Sequence, residues 1–262
     1  MHNCIFDKIY SMKRVFIIVL CLLINTCVTF GQEVDPISTD RPDQTEGSST
    51  VPKGFFQAEI GLLYGNTNDK FPIDIYAIPS ALFRYGITPR IEARLITEYL
   101  SFKDKSASQS GLAPIAVGSK VNVLQENGVI PEVAILGHVS IKDAASEIFR
   151  QNYFAPDIRA SLSHTLTEQF SLGYNIGLEW DGYTGKNNGL YTVAIGYSIS
   201  DHFGTYAEVF GLILKGETIN GLDAGFTYLL SSNTQLDISA GTGISEKDKS
   251  YYISVGFSSR FK

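Results

Sequence analysis

The chain has 262 residues and a net charge of −6 at neutral pH, and it is 44% hydrophobic and 12% aromatic with three cysteines. An acidic balance of this kind makes a poor nucleic-acid binder, so no nucleic-acid partner is expected. No stretch after residue 31 is apolar for 18 residues, which excludes membrane-spanning helices.

Residues 1–31 read as a signal peptide. Met12-Lys13-Arg14 is a charged start, Val15 to Ile24 is an apolar core too short to span a bilayer, and Thr29 and Gly31 are small residues before a cut at Gln32. Residues 1–11 lack this logic, so Met12 is an alternative start. A lipoprotein reading through Ile24-Asn25-Thr26-Cys27 is the alternative processing route, with Asn25 a poor fit to it. Cys4, Cys21 and Cys27 all fall inside the segment. The exported chain is then expected to hold no disulfide, thiol nucleophile or Cys-based metal site.

Residues 32–53 are polar, contain Pro36, Pro42 and Pro52, and show no periodicity. They read as an extended periplasmic leader. From residue 54 the pattern changes to alternation. In Phe170–Trp180 the even positions are Phe170, Leu172, Tyr174, Ile176, Leu178 and Trp180, while the odd ones are Ser171, Gly173, Asn175, Gly177 and Glu179. Side chains alternate between the faces of a strand, so one face is apolar and the other small or polar. Twelve such strands are predicted, at about 54–65, 73–85, 90–100, 113–124, 129–141, 153–165, 169–180, 190–199, 204–214, 221–230, 235–244 and 251–261. Connectors after even-numbered strands are short. Those after odd-numbered strands, such as 101–112, 142–152 and 215–220, are mostly longer and charged.

This alternation predicts an all-β, up-and-down outer-membrane β-barrel of about 12 antiparallel strands over 54–262, with turns on the periplasmic side and loops outside. A soluble sandwich has no reason to segregate its connectors in this way. Aromatic residues at strand ends, among them Tyr64, Tyr85, Tyr99, Trp180, Phe203 and Tyr251, match the girdles that mark the two membrane interfaces. Outer-membrane lipid is the implied surrounding, and the bacterial outer membrane the implied location. The last strand alternates Tyr251, Ile253, Val255 and Phe257 and ends Phe261-Lys262, which resembles the signal read by the barrel-insertion machinery apart from the final Lys.

With the apolar face outward, the predicted inward polar set includes Asp74, Glu98, Asn122, His138, Asp157, Arg159, Glu179 and Asp223, with Glu208 less clear because its strand is apolar on both faces. A periplasmic-half ring of Glu59, Arg84, Glu92, Arg94, Lys120, Glu132, Asp237 and Arg260 mixes both signs, so it can brace the barrel or filter solutes. By strict alternation Ile78 and Leu82 also fall inward. The leader motif Asp40, Arg41, Asp43 and Glu46 lies just beneath this ring. It can reach the lumen, where Arg41 would meet Glu59, Glu92 or Glu132, and Asp40 and Asp43 would meet Arg84, Arg94 or Lys120. Thr39 to Glu46 then reads as a plug or gate; a disordered tether or a chaperone-binding tail is the alternative.

The leader and first strand, Thr39-Asp-Arg-Pro-Asp-Gln-Thr-Glu46 and Val51-Pro-Lys-Gly-Phe-Phe-Gln-Ala-Glu59, resemble the opening of an outer-membrane transporter family described as a MetA-pathway of phenol degradation protein. Phe83 to Arg94, Gly118-Ser-Lys120, Ile130 to Ala134, Gln235-Leu-Asp237 and Gly256 to Phe261 share its style. The resemblance spans the exported chain and implies passage of small, aromatic or other organic solutes. An outer-membrane hydrolase is the rival from another class. It would need a Ser beside a His, and His138-Val139-Ser140 has that spacing but points inward, away from lipid. No catalytic set, metal site or cofactor is read from the sequence. A structural or interaction barrel, with its loops as the working surface, is the other alternative.

Overall fold

Alternating strands closed on themselves give every backbone donor and acceptor a partner, which is what lets a sheet stand in lipid. In the computed structural model, residues 34–68, 70–245 and 248–262 are described, and the expected signal peptide lies outside them. The strands are β1 Phe56–Asn66, β2 Asp74–Thr88, β3 Ile91–Lys103, β4 Ser108–Leu112, β5 Ala116–Leu124, β6 Glu132–Ser140, β7 Ala155–Thr165, β8 Phe170–Trp180, β9 Asn187–Ser198, β10 Phe203–Leu214, β11 Glu217–Ser231, β12 Thr234–Gly243 and β13 Tyr251–Phe261. Neighbours pair antiparallel, and β13 returns to β1 from Phe56↔Phe261 to Asn66↔Tyr251, closing the barrel.

β4 and β5 both pair with β3 and form the two halves of one stave, so the barrel has twelve staves. The break falls at residues 113–115, where Pro114 has no N–H to give to the ladder. The segment 101–112, predicted as a loop, is instead a hairpin extension. Tyr99–Lys103 pairs with Ser108–Leu112, and Asp104 Oδ1 accepts the backbone N–H groups of Ser106 and Ala107 across the turn. Residues 215–220 are likewise not a long loop. The β10–β11 ladder runs on to Leu214↔Glu217 and turns through Lys215-Gly216, with Gly216 at φ +92°.

The outer face carries Ile176, which is 66% exposed, together with Val193, Phe226, Ile238 and Val255, and forms the lipid-facing belt of an outer-membrane barrel. The inner face is polar and tightly filled: Glu59, Glu92 and Lys120 are fully buried. Glu208 points inward, 2% exposed, while its neighbour Val209 is exposed on the outer face. Strict alternation fails in upper β2. A register shift between Ala77 and Ser80 reverses the parity above it, leaving Ile78 exposed and placing Asp74 beside Tyr64 and Asn66 rather than in the lumen. Tyr64 in turn packs against the outward-facing Tyr251.

Candidate functional site: a leader loop seated in the lumen

The chain enters the barrel beside the β11–β12 turn, where the Ile37 N–H donates to the Ser232 carbonyl at 2.8 Å. It leaves under β2. The backbone at residues 51–52 crosses Gly86 so closely that a Cβ there would lie 2.6 Å from the Pro52 carbonyl carbon. Ile37 and Val51 are buried, one apolar anchor at each end of the loop. Between them, residues 38–50 form hydrogen bonds or ion pairs with every stave except β11 among the described residues.

Asp40 is the hub. Its carboxylate accepts from Lys120 Nζ at 2.8 and 2.9 Å and from Arg94 Nη1 at 2.6 Å, and it lies 3.1 Å from Arg84 Nη1. These three cations come from β2, β3 and β5, and each has at most 3% of its surface exposed. Burial pushes the Asp40 carboxyl up, but Arg84, Lys120 and Arg94 together hold it well below the usual carboxylate range. Its Oδ1 also accepts the Gly47 N–H at 2.9 Å, tying the two arms of the loop together.

The cations are shared with wall carboxylates. Arg84 reaches Glu59 at 2.9 Å and Glu92 at 2.8 Å, and Arg94 reaches Glu92 at 2.9 Å. Glu46 completes the cluster through Arg94 at 2.7 Å and Lys120 at 3.6 Å. Buried charges are tolerable only when paired and hydrogen-bonded, and here leader and wall supply each other's partners.

Arg41 goes elsewhere. It pairs with Asp237 at 3.0 Å and donates to Ser254 Oγ at 2.9 Å, rather than meeting Glu59, Glu92 or Glu132. The reason is steric as well as electrostatic. Glu59 and Glu92 are occupied by Arg84, and the cross-strand pair Gly61↔Gly256 leaves a slot for the guanidinium. A Cβ at Gly61 would lie 2.5 Å from Arg41 Cζ, and one at Gly256 would lie 2.5 Å from Arg41 Nε.

The far side of the loop is held by hydrogen bonds rather than ion pairs. Gln44 N–H and Thr45 Oγ1 donate to the two oxygens of Glu208 at 2.7 and 2.5 Å, and Thr45 Oγ1 lies 2.7 Å from Thr192 Oγ1. Asn175 brackets Glu46, accepting its N–H at 2.8 Å and donating to its carbonyl, to which Ser161 also donates. Glu132 accepts from Ser48 Oγ at 2.6 Å. Arg260 stands at the rim and donates to the Asp35 carbonyl at 2.7 Å. Among the described residues Asp43 forms no ion pair. It faces Glu208, and burial together with that charge raises its carboxyl well above the ordinary range.

His138 is drawn into this polar filling. Arg94 Nε donates to its Nε2 at 2.8 Å, and its Nδ1 faces Asp157 at 3.6 Å, so neither ring nitrogen is left for Ser140. Alternation alone hid the glycine slot, the Thr45–Thr192 contact and the bracket formed by Asn175. The one sequence signal for the slot was Gly61 and Gly256 at inward positions of the first and last strands.

A model of the family described as Putative MetA-pathway of phenol degradation matches residues 39–261. The chain belongs to this family. The match opens at Thr39, so the seated loop lies within the family's sequence rather than ahead of it. No curated protein sequence matches the chain. Among solved structures, an outer membrane channel from Pseudomonas putida F1 aligns with a TM-score of 0.67 at 10% identity, covering 87% of this chain and 100% of the other. The KdgM porin in complex with disordered oligogalacturonate gives 0.51 at 11% identity, covering 78% and 99%. The translocator domain of autotransporter NalP from Neisseria meningitidis gives 0.50 at 11%, covering 80% and 90%. What these proteins share with this family member is the barrel.

Proposed function

We propose that the protein is an outer-membrane pore for small organic solutes, and that leader residues 39–48 form its periplasmic gate. The observation that carries this reading is the loop itself, which bridges opposite walls of the lumen, from Arg94 and Lys120 on one side to Glu208 on the other. A cavity of about 280 Å³, lined in part by Gln44 of the loop and by Arg159, Glu179, Leu190, Phe210 and Leu212, stands on the other side of it. Family membership favours organic compounds, aromatic ones among them, as the solutes. On this reading the inward polar ring is the seat of the gate, and passage rather than chemistry is the work of the barrel. Residues 1–31 serve export and are removed, 32–53 are the leader, and 54–262 are the barrel, with Tyr251–Phe261 presented to the insertion machinery.

Deleting residues 33–50 while keeping the signal peptide tests the gate. Conductance in planar bilayers should rise several-fold, and cells should become sensitive to small antibiotics that the intact protein excludes. Unchanged conductance would reduce the loop to a brace.

A further inference from the structure

Beside the seated loop, the wall built by β10–β13 holds a carboxylate that none of the basic side chains serves. Asp223 on β11 lies directly across from Glu208 on β10. Among the described residues neither forms an ion pair, and the nearest leader carboxyl, Asp43, has the same sign. Asp223 is 5% exposed. Its Oδ2 accepts from the Tyr252 hydroxyl, while its Oδ1 makes no well-formed hydrogen bond and has the Tyr206 hydroxyl and the Glu208 carboxyl as neighbours. The Tyr206 hydroxyl and Ser239 Oγ, at 9% and 2% exposed, make no well-formed hydrogen bond either.

The surroundings of Asp223 are aromatic, and glycines make them so. The inward positions above and below Asp223 on β11 are Gly221 and Gly225, and its partner on β12 is Gly241. Each glycine is covered by a ring from an adjoining strand. Phe210 lies over Gly221, where a Cβ would fall 2.6 Å from Cε2. Tyr206 lies over Gly225, with Cε1 at 2.7 Å from such a Cβ, and Tyr252 lies over Gly241, with Cζ at 2.7 Å. Three rings thus frame one buried carboxylate, with a second beside it. Phe210 also lines the cavity above the loop, so the frame borders open space.

Aromatic rings packed around a buried carboxylate favour a positive, weakly hydrated head group. The ring quadrupoles attract it and the carboxylate neutralises it. We propose that Asp223, Phe210, Tyr206 and Tyr252 form a binding site for a small organic ammonium compound, its charged head at Asp223 and its apolar body against Phe210 and Leu212 in the cavity. An anion would face Asp223, Glu208 and Asp43, all of its own sign, while Arg159 in the cavity wall is engaged by Asp157 at 2.9 Å. The proposal rests on the pore reading only in making this a station on a path. The site itself is a statement about binding.

Calorimetric titration of the full-length protein in detergent, with three probes that share one body, tests it. Phenethylammonium should bind about tenfold more tightly than phenethyl alcohol, a difference of about 1.4 kcal/mol, and 3-phenylpropanoate should show no binding. Asp223→Asn keeps an acceptor for Tyr252 and should erase the preference for the ammonium while leaving alcohol binding in place. Phe210→Leu should weaken both the ammonium and the alcohol, and Asp104→Asn in the β3–β4 turn should change nothing. Equal affinity for ammonium and alcohol, tighter binding of the anion, or no effect of Asp223→Asn would each overturn the proposal. Ammonium binding in a protein whose conductance does not respond to loss of residues 33–50 would leave the site standing and remove the gate.

Discussion

At the scale of single residues, the account turns on Asp40, where one leader carboxylate meets three wall cations. Removing one partner of a buried, hydrogen-bonded charge cluster costs about 3–5 kcal/mol because the remaining charges stay buried and unpaired. Asp40→Ala should therefore release the loop without unfolding the barrel, and hydrogen exchange at residues 40–48 should rise to that of a free peptide. Protection that persists in the variant would mean the remaining contacts suffice. The two leader aspartates should respond oppositely to pH. Asp40 is held low by its cations, so its share of docking is complete above the ordinary carboxylate range and is lost only in strong acid. Asp43 is raised by burial, Glu208 and Asp223, so its share is present at low pH and lost as pH rises through its shifted value. Lowering pH through that shifted value should tighten the loop and reduce open probability, and Asp43→Asn should weaken the response. Sequence reasoning reached the inward charges because alternation fixes which face a side chain takes. It could not assign Arg41 to Asp237, because that choice depends on two glycines brought together only when the first and last strands pair.

At the scale of elements, the strands follow from period-two alternation, and the departures have local causes. Pro114 splits one stave, and the shift between Ala77 and Ser80 turns the top of β2 over. Neither the two-residue β10–β11 turn nor the β3–β4 hairpin was legible, because polar, charged ends of strands beyond the lipid belt carry no alternation signal. Within the belt the faces are sharply distinguished. An Arg at Ile176 or Ile238 should cost roughly 2–4 kcal/mol in a refolding titration if it lies at the midplane, whereas one at the inward Thr227 should cost far less. Equal penalties on the two faces would contradict the assigned register. Gly173 is unsuitable as an inward control, since a Cβ there would already press on Thr45 at 3.1 Å.

At the scale of the whole molecule, barrel closure brings β1 beside β13, and with them the glycine slot, while the leader crosses to β8, β9 and β10 on the far wall. Cysteines at Ser108 and Ala145 should react with an impermeant maleimide on intact cells, and cysteines at Thr88, Asn127 and Ser232 should not. The reverse pattern would invert the barrel and put the loop at its outer mouth. The central claim is that the seated loop closes the path. Thr45 and Thr192 face each other with their hydroxyls 2.7 Å apart, and the native cysteines all precede residue 32, so a Thr45→Cys, Thr192→Cys pair would be the only thiols after processing. The most direct test is the single-channel conductance of this double variant, oxidised and then reduced on the same bilayer. The account expects a low, steady conductance while the disulfide holds the loop in place, and large openings once the bond is reduced. Identical conductance in the two states, with the crosslink verified, would contradict it.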